Sequence, residues 1–412
     1  MPDGTLRFKI CPNVQMKKIY LSKAKSQIAR HNTIRDINKQ IVLNYVRVRS
    51  PISRAEIARE TSLQRSTVSA IVDELQNEGL IEELGTGDST GGRKPTLLQL
   101  RTGVPVAIGV DVTPRVTTVA LADLAGTLLD TEKFPTSSDI EYMNKQILEK
   151  VGKFVEMYPN ANLEVGISIP GIADPGSGTI VYIPYFQWSN WNIGKQIEEK
   201  IGVPVVIDND ANAVAIAELW FGDDEIRKTR NFVMILISEG IGTGIIIDGE
   251  VYRGEYGAAG EFGHMYVGEN APVVCSCGRR DCWEAHASEK AILERYASGD
   301  ANGAKGNIDI DHLIGLAMNG ETRAVQTLRE SAHYLGIGIS NLIVGFSPQA
   351  VVVSGSIVRA WDVMKEDLQI LAGRSIRDEL KNPAIVRSTL GDNPTVLGSI
   401  ALVLASKFAS AN

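Results

Sequence analysis

One short stretch of the sequence, residues 261–284, limits the fold more than any other because it collects residue types that bind metals. It holds three of the chain's four cysteines together with a histidine: His264, Cys275, Cys277 and Cys282. Three thiolates and one imidazole are ligands that tetrahedral zinc prefers. These four residues would leave no position open for water, so the stretch predicts a structural zinc ion and not a catalytic one. The alternative is three thiols that lie together in a loop by chance.

Two glutamates, Glu261 and Glu284, bracket this stretch. A closed metal site would hold them at a fixed separation, and we therefore expect the loop to form one wall of a ligand pocket. The fourth cysteine, Cys11, lies far away in the sequence. Clustered thiols with one outlier favour a metal site in a reducing cytoplasm over a disulfide framework.

The length of the chain, 412 residues, predicts two or three domains. Hydrophobic residues make up 44% and charged residues 22%, which is typical of a globular protein. The sequence has no apolar run of membrane-spanning length, and its N-terminus lacks the apolar core of a signal peptide. We therefore expect a cytoplasmic protein that makes no contact with a membrane.

Charge is divided unevenly along the chain. Residues 1–101 hold 17 basic and 10 acidic residues, a net charge of +7, and the rest of the chain holds 25 basic and 39 acidic residues, a net charge of −14. A basic segment attached to an acidic body predicts that only the N-terminal segment binds a polyanion.

Residues 33–101 have the pattern of a winged helix-turn-helix. A first helix is predicted over 33–49, and Ser53 and Glu56 then have the spacing of a capping box at the start of a second helix. A third helix is predicted from Gln64 to Asn77 after a short turn, and two strands follow it. The alternative is a helical hairpin used for protein contact or dimerisation. Residues 1–32 are a leader whose function the sequence does not reveal.

The third helix begins with polar side chains, which suit base edges and phosphate groups of DNA. The two predicted strands, Leu80–Leu84 and Thr96–Leu100, flank a wing that adds two basic residues. The predicted DNA contacts are Gln64, Arg65, Ser66, Thr67, Ser69, Arg93 and Lys94.

From residue 102 onward, predicted strands alternate with predicted helices, which is typical of an α/β body. An Asp248-Gly249 pair between two apolar runs predicts a β-hairpin turn. The body is about 300 residues long, which suits two lobes with a cleft between them.

Six motifs in this body and in the N-terminal segment resemble the ROK family, which groups bacterial repressors and sugar kinases. They are ISRAEIARETSLQRSTVS, GGRKP, IPGIADPGSG, IDNDANAVAIAE, GIGTGIIIDGEVYRG and GEFGHMYVGENAPVVCSCGRRDCWE. The resemblance covers about residues 33–410 and is strongest to the repressor branch, which includes repressors of xylose and N-acetylglucosamine operons.

The resemblance implies an actin/hexokinase-like (ribonuclease-H-like) body over 102–412. One lobe would comprise residues 102–220 with a C-terminal helix over 395–412, and the other lobe residues 221–394. It also implies that the cysteine and histidine set binds zinc and that a sugar pocket is formed by Asn209, Asp210, Glu261, His264 and Glu284. In ROK kinases, the aspartate at the position of Asp210 deprotonates the sugar hydroxyl.

One departure from the kinase pattern lies after the first strand of the body. The kinases have a glycine-rich turn of the form Asp-x-Gly-x-Thr there, whereas this chain reads Asp111-Val112-Thr113-Pro114-Arg115. Pro114 has no amide proton, and Thr113 carries a side chain where the backbone must approach ATP closely. We therefore expect sugar binding without ATP binding, although a second glycine-rich loop over 240–244 remains.

These observations together predict a sugar-responsive, DNA-binding repressor of a carbohydrate-utilisation operon that is not an enzyme. Its expected partners are a pseudo-palindromic operator, a monosaccharide or sugar phosphate effector, and a second copy of itself in a dimer or a dimer of dimers. The alternatives are an ATP-dependent sugar kinase with a fused DNA-binding domain and a non-enzymatic dimerisation scaffold. Trp188 and Trp191 are candidates for stacking on a sugar, or for plain packing.

Overall fold

The computed structural model describes residues 31–86, 94–298, 308–373 and 382–408. Residues 1–30 of the predicted leader, Cys11 and the predicted DNA contact Arg93 lie outside these ranges. Within them, no helix is both long enough and apolar enough to cross a membrane.

The N-terminal domain is the predicted winged helix-turn-helix. Ser53 and Glu56 form the expected capping box, in which the Ser53 side chain accepts the Glu56 N–H and the Glu56 carboxylate accepts the Ser53 N–H. Strand β3 pairs with both β1 and β2 in an antiparallel sheet. The elements in chain order are α1 (His31–Arg49), β1 (Ile52–Ser53), α2 (Arg54–Thr61), α3 (Arg65–Asn77), β2 (Ile81–Thr86) and β3 (Thr96–Leu100).

The first lobe of the body is built on a five-stranded sheet in the order β11-β7-β4-β5-β6, with a small antiparallel sheet of β8, β9 and β10 at its side. Its elements are β4 (Ala107–Val112), β5 (Val116–Ala122), β6 (Leu128–Pro135), α4 (Ile140–Met157), β7 (Glu164–Ile169), β8 (Ile172–Asp174), β9 (Thr179–Ile183), β10 (Trp188–Trp191), α5 (Ile193–Ile201), β11 (Val205–Asn209) and α6 (Asp210–Phe221).

The second lobe has a five-stranded sheet in the order β14-β13-β12-β15-β16. Asp248 and Gly249 both have positive φ in the turn between β13 and β14, as the hairpin prediction requires. The elements are α7 (Asp224–Arg227), β12 (Phe232–Ile237), β13 (Ile241–Ile247), β14 (Glu250–Val251), a 3-10 turn (Glu261–His264), α8 (Trp283–Ala287), α9 (Glu289–Ser298), α10 (Ile310–Met318), α11 (Thr322–Phe346), β15 (Ala350–Ser354), a second 3-10 turn (Ser356–Ala360), α12 (Trp361–Gly373) and β16 (Ala384–Arg387). The last helix, α13 (Pro394–Phe408), follows the second lobe in the chain but packs against the first.

The two sheets repeat one topology, and this repeat is what defines the predicted actin/hexokinase-like fold. Each begins with three antiparallel strands, β4-β5-β6 in the first lobe and β12-β13-β14 in the second. Each then adds two parallel strands on the other side of its first strand. The parallel strands require crossover connections, and these contain helices.

Helices α6 and α13 pack closely against one another and against both sheets. A Cβ atom on Gly398 of α13 would lie only 2.9–3.0 Å from atoms of Ala213 in α6, and one on Gly166 of β7 would lie 1.9 Å from the Ser399 carbonyl oxygen. Glycine at these two positions therefore permits backbone-to-backbone contact. The C-terminal helix α13 thus returns to the sheet of the first lobe.

The N-terminal domain contacts the first lobe at the C-terminal end of α6. Leu80 and Leu100 of the domain pack against an apolar cluster of β4, β5 and α13 to which Trp220 and Phe221 of α6 also belong. The Arg47 guanidinium of α1 lies 3.9 Å from the centre of the Trp220 ring, a distance typical of a cation–π contact.

Candidate ligand pocket, metal site and DNA-binding helix

A cavity between the lobes is lined by all five residues that the sequence predicted for a sugar site. Asn209 and Asp210 come from the first lobe, where β11 runs into α6. Glu261, His264 and Glu284 come from the second lobe. The fold thus brings together residues separated by as many as 75 sequence positions, and their carboxylate, amide and imidazole groups are suited to hydrogen-bonding hydroxyl groups.

Asn209 and Asp210 are held in place by the first turn of α6. Asn209 caps the helix, since its Oδ1 accepts the N–H groups of Ala211 and Asn212, and its Nδ2 donates to the Gly171 carbonyl over 3.0 Å. The amide has two Nδ2 hydrogens, so one is left for a ligand. Asp210 Oδ1 accepts the Ala211 N–H at 2.8 Å.

The environment of Asp210 disfavours its charged form. Burial raises the pKa of Asp210 to about 7, and the nearby carboxylates of Asp111 and Glu261 act in the same direction. Asp210 is therefore an acid whose protonation changes near neutral pH, which would suit a general base and also a hydrogen-bonding ligand contact.

Glu261 and His264 are placed by a 3-10 turn that lies against β13. Gly260 begins this turn with a φ of 96°, and a Cβ there would lie 2.3 Å from the Thr243 carbonyl oxygen. Glycine is required for both reasons. Glu261 Oε2 lies 3.5 Å from His264 Nε2, so the two side chains face one another in the cavity.

Glu284 is fixed by hydrogen bonds from two different segments. Its Oε1 accepts the Ser276 N–H at 3.3 Å and the Ser276 hydroxyl at 3.1 Å, while its Oε2 accepts the Ile241 N–H at 3.3 Å. The loop that contains Cys275 and Cys277 therefore positions this carboxylate directly, which is the role expected of it from the sequence.

Two tyrosines at the cavity were missed by the sequence reasoning. Tyr182 and Tyr185 line it, and a Cβ added at Gly240 would come within 3.0 Å of the Tyr185 hydroxyl and 2.5 Å of the Glu284 carboxylate. Trp188 and Trp191, the predicted stacking candidates, are instead 2% and 4% exposed and pack edge to face in the core. Packing is thus the correct interpretation of these tryptophans.

His264, Cys275, Cys277 and Cys282 come together in a set that could hold a metal ion. Their ligand atoms all lie within 4.8 Å of one another. His264 Nδ1 lies 3.1 Å from Cys275 Sγ, and Cys277 Sγ lies 3.4 Å from Cys282 Sγ. A tetrahedral zinc ion with bonds of about 2.0–2.3 Å requires ligand atoms roughly 3.3–3.8 Å apart. The Cys277–Cys282 distance lies in this range and the His264–Cys275 distance just below it, and the donor set is one that zinc prefers.

His264 belongs to both the cysteine set and the cavity. Its Nδ1 faces the Cys275 thiol and its Nε2 faces Glu261. Because a metal on Nδ1 requires that this nitrogen carry no proton, Nε2 would then carry the remaining hydrogen and face the cavity as a donor.

The three thiols differ in how readily they ionise. Burial raises the pKa of Cys282 to about 11 and also raises the pKa of Cys275. Burial acts to raise the pKa of Cys277 as well, but hydrogen bonds, led by those from Arg279, lower it to about 6. A cation is what would hold all three as thiolates at neutral pH.

The predicted DNA contacts lie at the exposed N-terminal end of α3. Gln64, Arg65 and Ser66 are exposed, and Thr67 and Ser69 are partly exposed. The opposite face of α3 is buried through Val68, Ile71, Val72 and Leu75. Lys94 is exposed at the end of the wing. The described contacts thus lie where a helix-turn-helix presents its recognition helix.

The positive charge of residues 1–101 is concentrated in residues 1–30. Residues 1–30 hold seven of its 17 basic residues and one of its ten acidic ones, which leaves ten basic and nine acidic residues for 31–101. Arg35, Lys39 and Arg54 in the described domain also form ion pairs with acidic residues of α3. Most of the positive excess therefore lies outside the described helix-turn-helix.

Comparison with known proteins bears on both domains. The model of the MarR family matches residues 41–94. The model of the ROK family matches residues 107–406, which is most of the chain. This chain belongs to the ROK family.

Full-length ROK relatives resemble the whole chain. The xylose repressor of Bacillus subtilis is 33% identical over 382 residues, which cover 92% of this chain and 97% of that protein. The solved structure of a ROK family transcriptional regulator, a homologue of the Escherichia coli MLC protein, has a TM-score of 0.76 and 26% identity, and the match covers 92% of this chain and 98% of that one.

The ROK body alone resembles a sugar kinase. A ROK family glucokinase from Streptomyces griseus, solved with glucose and AMPPNP, is 28% identical with a TM-score of 0.62. The match covers 72% of this chain and 98% of the glucokinase. The N-terminal domain is thus what sets the chain apart from this kinase in length.

The turn after β4, which departs from the ROK kinase pattern, is closed by hydrogen bonds between its own residues. The Thr113 N–H and hydroxyl both donate to the Val116 carbonyl oxygen, at 3.3 and 2.7 Å. Arg115 forms an ion pair with Glu239 of the second lobe. This ion pair joins the turn after β4 to the turn after β12, so it bridges the cleft between the two lobes.

The raised pKa of Asp210 leads to a prediction about stability. A buried carboxyl with a folded pKa of about 7 and an ordinary value of 3.8 adds no cost below about pH 3.8, an increasing cost from there to pH 7, and a constant cost above pH 7. We therefore expect Asp210→Asn to raise the melting temperature of the ligand-free protein more at pH 8 than at pH 5.

Calorimetry at both pH values would measure the effect, with Asp130→Asn as the matched control because Asp130 is exposed. An equal shift at pH 5 and pH 8 would contradict the assigned ionisation.

Proposed function

We propose that this protein is a sugar-responsive transcriptional repressor of a carbohydrate-utilisation operon. The N-terminal domain binds operator DNA, and a monosaccharide or sugar phosphate binds in the cavity between the lobes. Xylose is the first sugar to test, since the B. subtilis relative is a xylose repressor. The proposal keeps the division made from the sequence: leader 1–32, DNA-binding domain 33–101, and a body of lobes 102–220 with 395–412 and 221–394.

One observation carries the proposal, namely that a single helix joins the two sites. Helix α6 begins with Asn209 and Asp210 in the cavity and ends with Trp220 and Phe221 against the N-terminal domain. Its 12 residues span about 18 Å at 1.5 Å per residue. A sugar that moves the start of α6 would therefore move the surface on which the DNA-binding domain rests.

Arg47 is the residue through which this movement would reach the DNA-binding domain. It lies against the Trp220 ring, and burial lowers its pKa to about 10, with the Arg227 charge acting in the same direction. A partly desolvated cation over an aromatic ring contributes roughly 0.5–2 kcal/mol. The contact is strong enough to orient the domain and weak enough to change when a ligand binds.

A two-fold symmetric dimer, or a dimer of such dimers, would present two recognition helices to a pseudo-palindromic operator. A small rotation of each N-terminal domain then alters the spacing between the helices. A sugar with a 100-fold preference for one arrangement supplies about 2.7 kcal/mol, which sets the upper limit of the effect.

The helical connection predicts that sugar and operator binding can be uncoupled. We expect sugar to weaken operator binding by the wild-type protein about tenfold or more, and by Trp220→Ala less than about threefold. Trp220→Phe keeps an aromatic ring below Arg47 and should retain most of the effect. Fluorescence anisotropy with an operator duplex, with and without sugar, measures the operator affinities, and calorimetry measures sugar affinity.

Arg65→Ala serves as the second control, because it should weaken operator binding by loss of a DNA contact while the sugar effect on the remaining binding persists. Full retention of the sugar effect in Trp220→Ala would rule out transmission through the Arg47 contact. Absence of any sugar effect in the wild type would overturn the proposed function itself.

The cysteine and histidine set is proposed to hold structural zinc through His264, Cys275, Cys277 and Cys282. Bound zinc would keep the thiolates together and so hold the loop whose Ser276 groups donate to Glu284. Clustered thiols that must stay reduced also support a location in the cytoplasm, as does operator binding.

Loss of the metal is expected to weaken sugar binding without direct loss of a sugar contact. We expect Cys277→Ser to lose zinc and to bind sugar about 10–100-fold more weakly, because Glu284 is no longer held. Cys11→Ser is the matched control, since Cys11 lies far from the set in the sequence, and it should keep both properties. Metal analysis and calorimetry provide the measurements, and zinc-free wild-type protein with full sugar affinity would refute the proposal.

We also propose that the protein is not an enzyme. The Arg115 guanidinium is paired with Glu239 across the cleft, so its charge is already neutralised and is not free to bind ATP phosphates. Asp111 is 3% exposed and accepts hydrogen bonds of 2.7 Å from Ser168 and Thr395, so it is held in the core. The observation that favours a kinase is Asp210, which has the pKa of a general base.

A coupled assay of ADP release with a panel of sugars decides between the two functions. We expect turnover at least about a thousandfold below the roughly 1–100 per second of kinases. Turnover in the kinase range that is abolished by Asp210→Asn would establish the alternative.

A further inference from the structure

A half-buried ion pair joins the two lobes next to the cavity, since the Arg253 side chain is 36% exposed and the Asp208 side chain 4%. Asp208 lies at the end of β11 and is 3% exposed. Arg253 follows β14 of the second lobe, and its Nε and one Nη lie 2.8 and 2.7 Å from the same Asp208 oxygen, Oδ2. Two donors from one rigid guanidinium fix both the distance and the direction between the two segments.

Asp208 and Arg253 each form hydrogen bonds with the segment of their own lobe that carries cavity residues. The other Asp208 oxygen, Oδ1, accepts the Asn209 N–H at 2.8 Å and the Asn212 side-chain amide at 3.0 Å. Arg253 accepts the Ala259 N–H at its carbonyl oxygen, which closes a loop over 254–260 that leads directly into Glu261. Neither Asp208 nor Arg253 lines the cavity itself.

The pair therefore connects opposite walls of the cavity. On one side the next residues in the chain are Asn209 and Asp210, and on the other side the Arg253 loop contributes Gly257, Ala259 and Glu261 to the lining. Gly254 and Gly257 have φ values of 69° and 71°, so this loop owes its shape to glycines and not to an apolar core of its own. An external anchor is required to hold such a loop at a fixed position.

We propose that Asp208 and Arg253 are positioning residues that set the separation between the Asn209–Asp210 wall and the Glu261 wall. They determine the affinity and the selectivity of the cavity for sugars without contacting the sugar themselves. This inference rests on the proposed sugar-binding function of the cavity.

The first test is a double-mutant cycle on sugar affinity. Asp208→Asn and Arg253→Gln should each weaken sugar binding about tenfold or more, because the cavity walls are no longer held in register. The double variant should be no weaker than the weaker single variant, since the two residues act as one unit. Arg253→Lys should recover part of the affinity, because an ammonium group keeps the charge but lacks the fork of donors.

The matched control is Arg230→Gln. Arg230 pairs with Asp248 in the same lobe, but that pair is exposed, at 3.6 Å, and neither residue lines the cavity. It should bind sugar as the wild type does. Additive effects of Asp208→Asn and Arg253→Gln, or single variants with wild-type affinity and altered stoichiometry only, would overturn the inference.

A second measurement does not depend on sugar. Hydrogen exchange of the ligand-free protein should show the amides over 254–260 and of Asn209 exchanging about tenfold faster in Arg253→Gln than in wild type or in Arg230→Gln. Unchanged exchange would refute the positioning role directly. If the wild type bound none of the sugars, the proposed function would fail and the affinity claim with it, whereas altered exchange would still locate the anchor of the loop.

Discussion

Close packing around α6 is the constraint on which the rest of this protein depends. At its first turn, a Cβ on Gly244 of β13 would lie 2.5 Å from the Ala211 carbonyl oxygen, and farther along, Gly398 of α13 lies against Ala213. Contacts at backbone distance leave no space for a gradual shift of side chains, because packed interiors yield little. Any movement of helix α6 would therefore involve the whole helix, including both of its ends.

The free energy that a sugar could supply at the start of α6 is similar in size to that of the Arg47–Trp220 contact at its end. A sugar that prefers one arrangement 100-fold supplies about 2.7 kcal/mol, while the contact of Arg47 with Trp220 contributes roughly 0.5–2 kcal/mol. Leu80 and Leu100 of the N-terminal domain also pack against the body. Regulation would then require only a change in how the N-terminal domain packs against the body, and no refolding of either domain.

Sequence reasoning succeeded where the signal is local or chemically specific. The Ser53–Glu56 capping box depends on residues three positions apart, and the cysteine set on a rare combination of ligand types. The pocket residues came from motif resemblance, because no spacing rule links Asn209 to Glu284. The Arg47–Trp220 and Arg253–Asp208 contacts join residues 173 and 45 positions apart. Asp208 and Arg253 both lie in family motifs, but no motif indicates which side chain each one contacts after folding.

In the proposed function, Asp210 would bind sugar without acting as a catalytic base. Its burial, which raises its pKa to about 7, is what a base requires, yet a base without a positioned phosphoryl donor transfers no group. Within the turn after β4, the Thr113 hydroxyl donates a hydrogen bond to the Val116 carbonyl oxygen. Arg115 of the same turn forms an ion pair with Glu239 across the cleft. In the proposed function, the Asp210 carboxyl group would accept hydrogen bonds from a sugar, and these would offset the stability that its burial costs. To act as an effector, the sugar must in addition bind one arrangement of the lobes more tightly than the other, because equal affinity for both arrangements shifts no equilibrium.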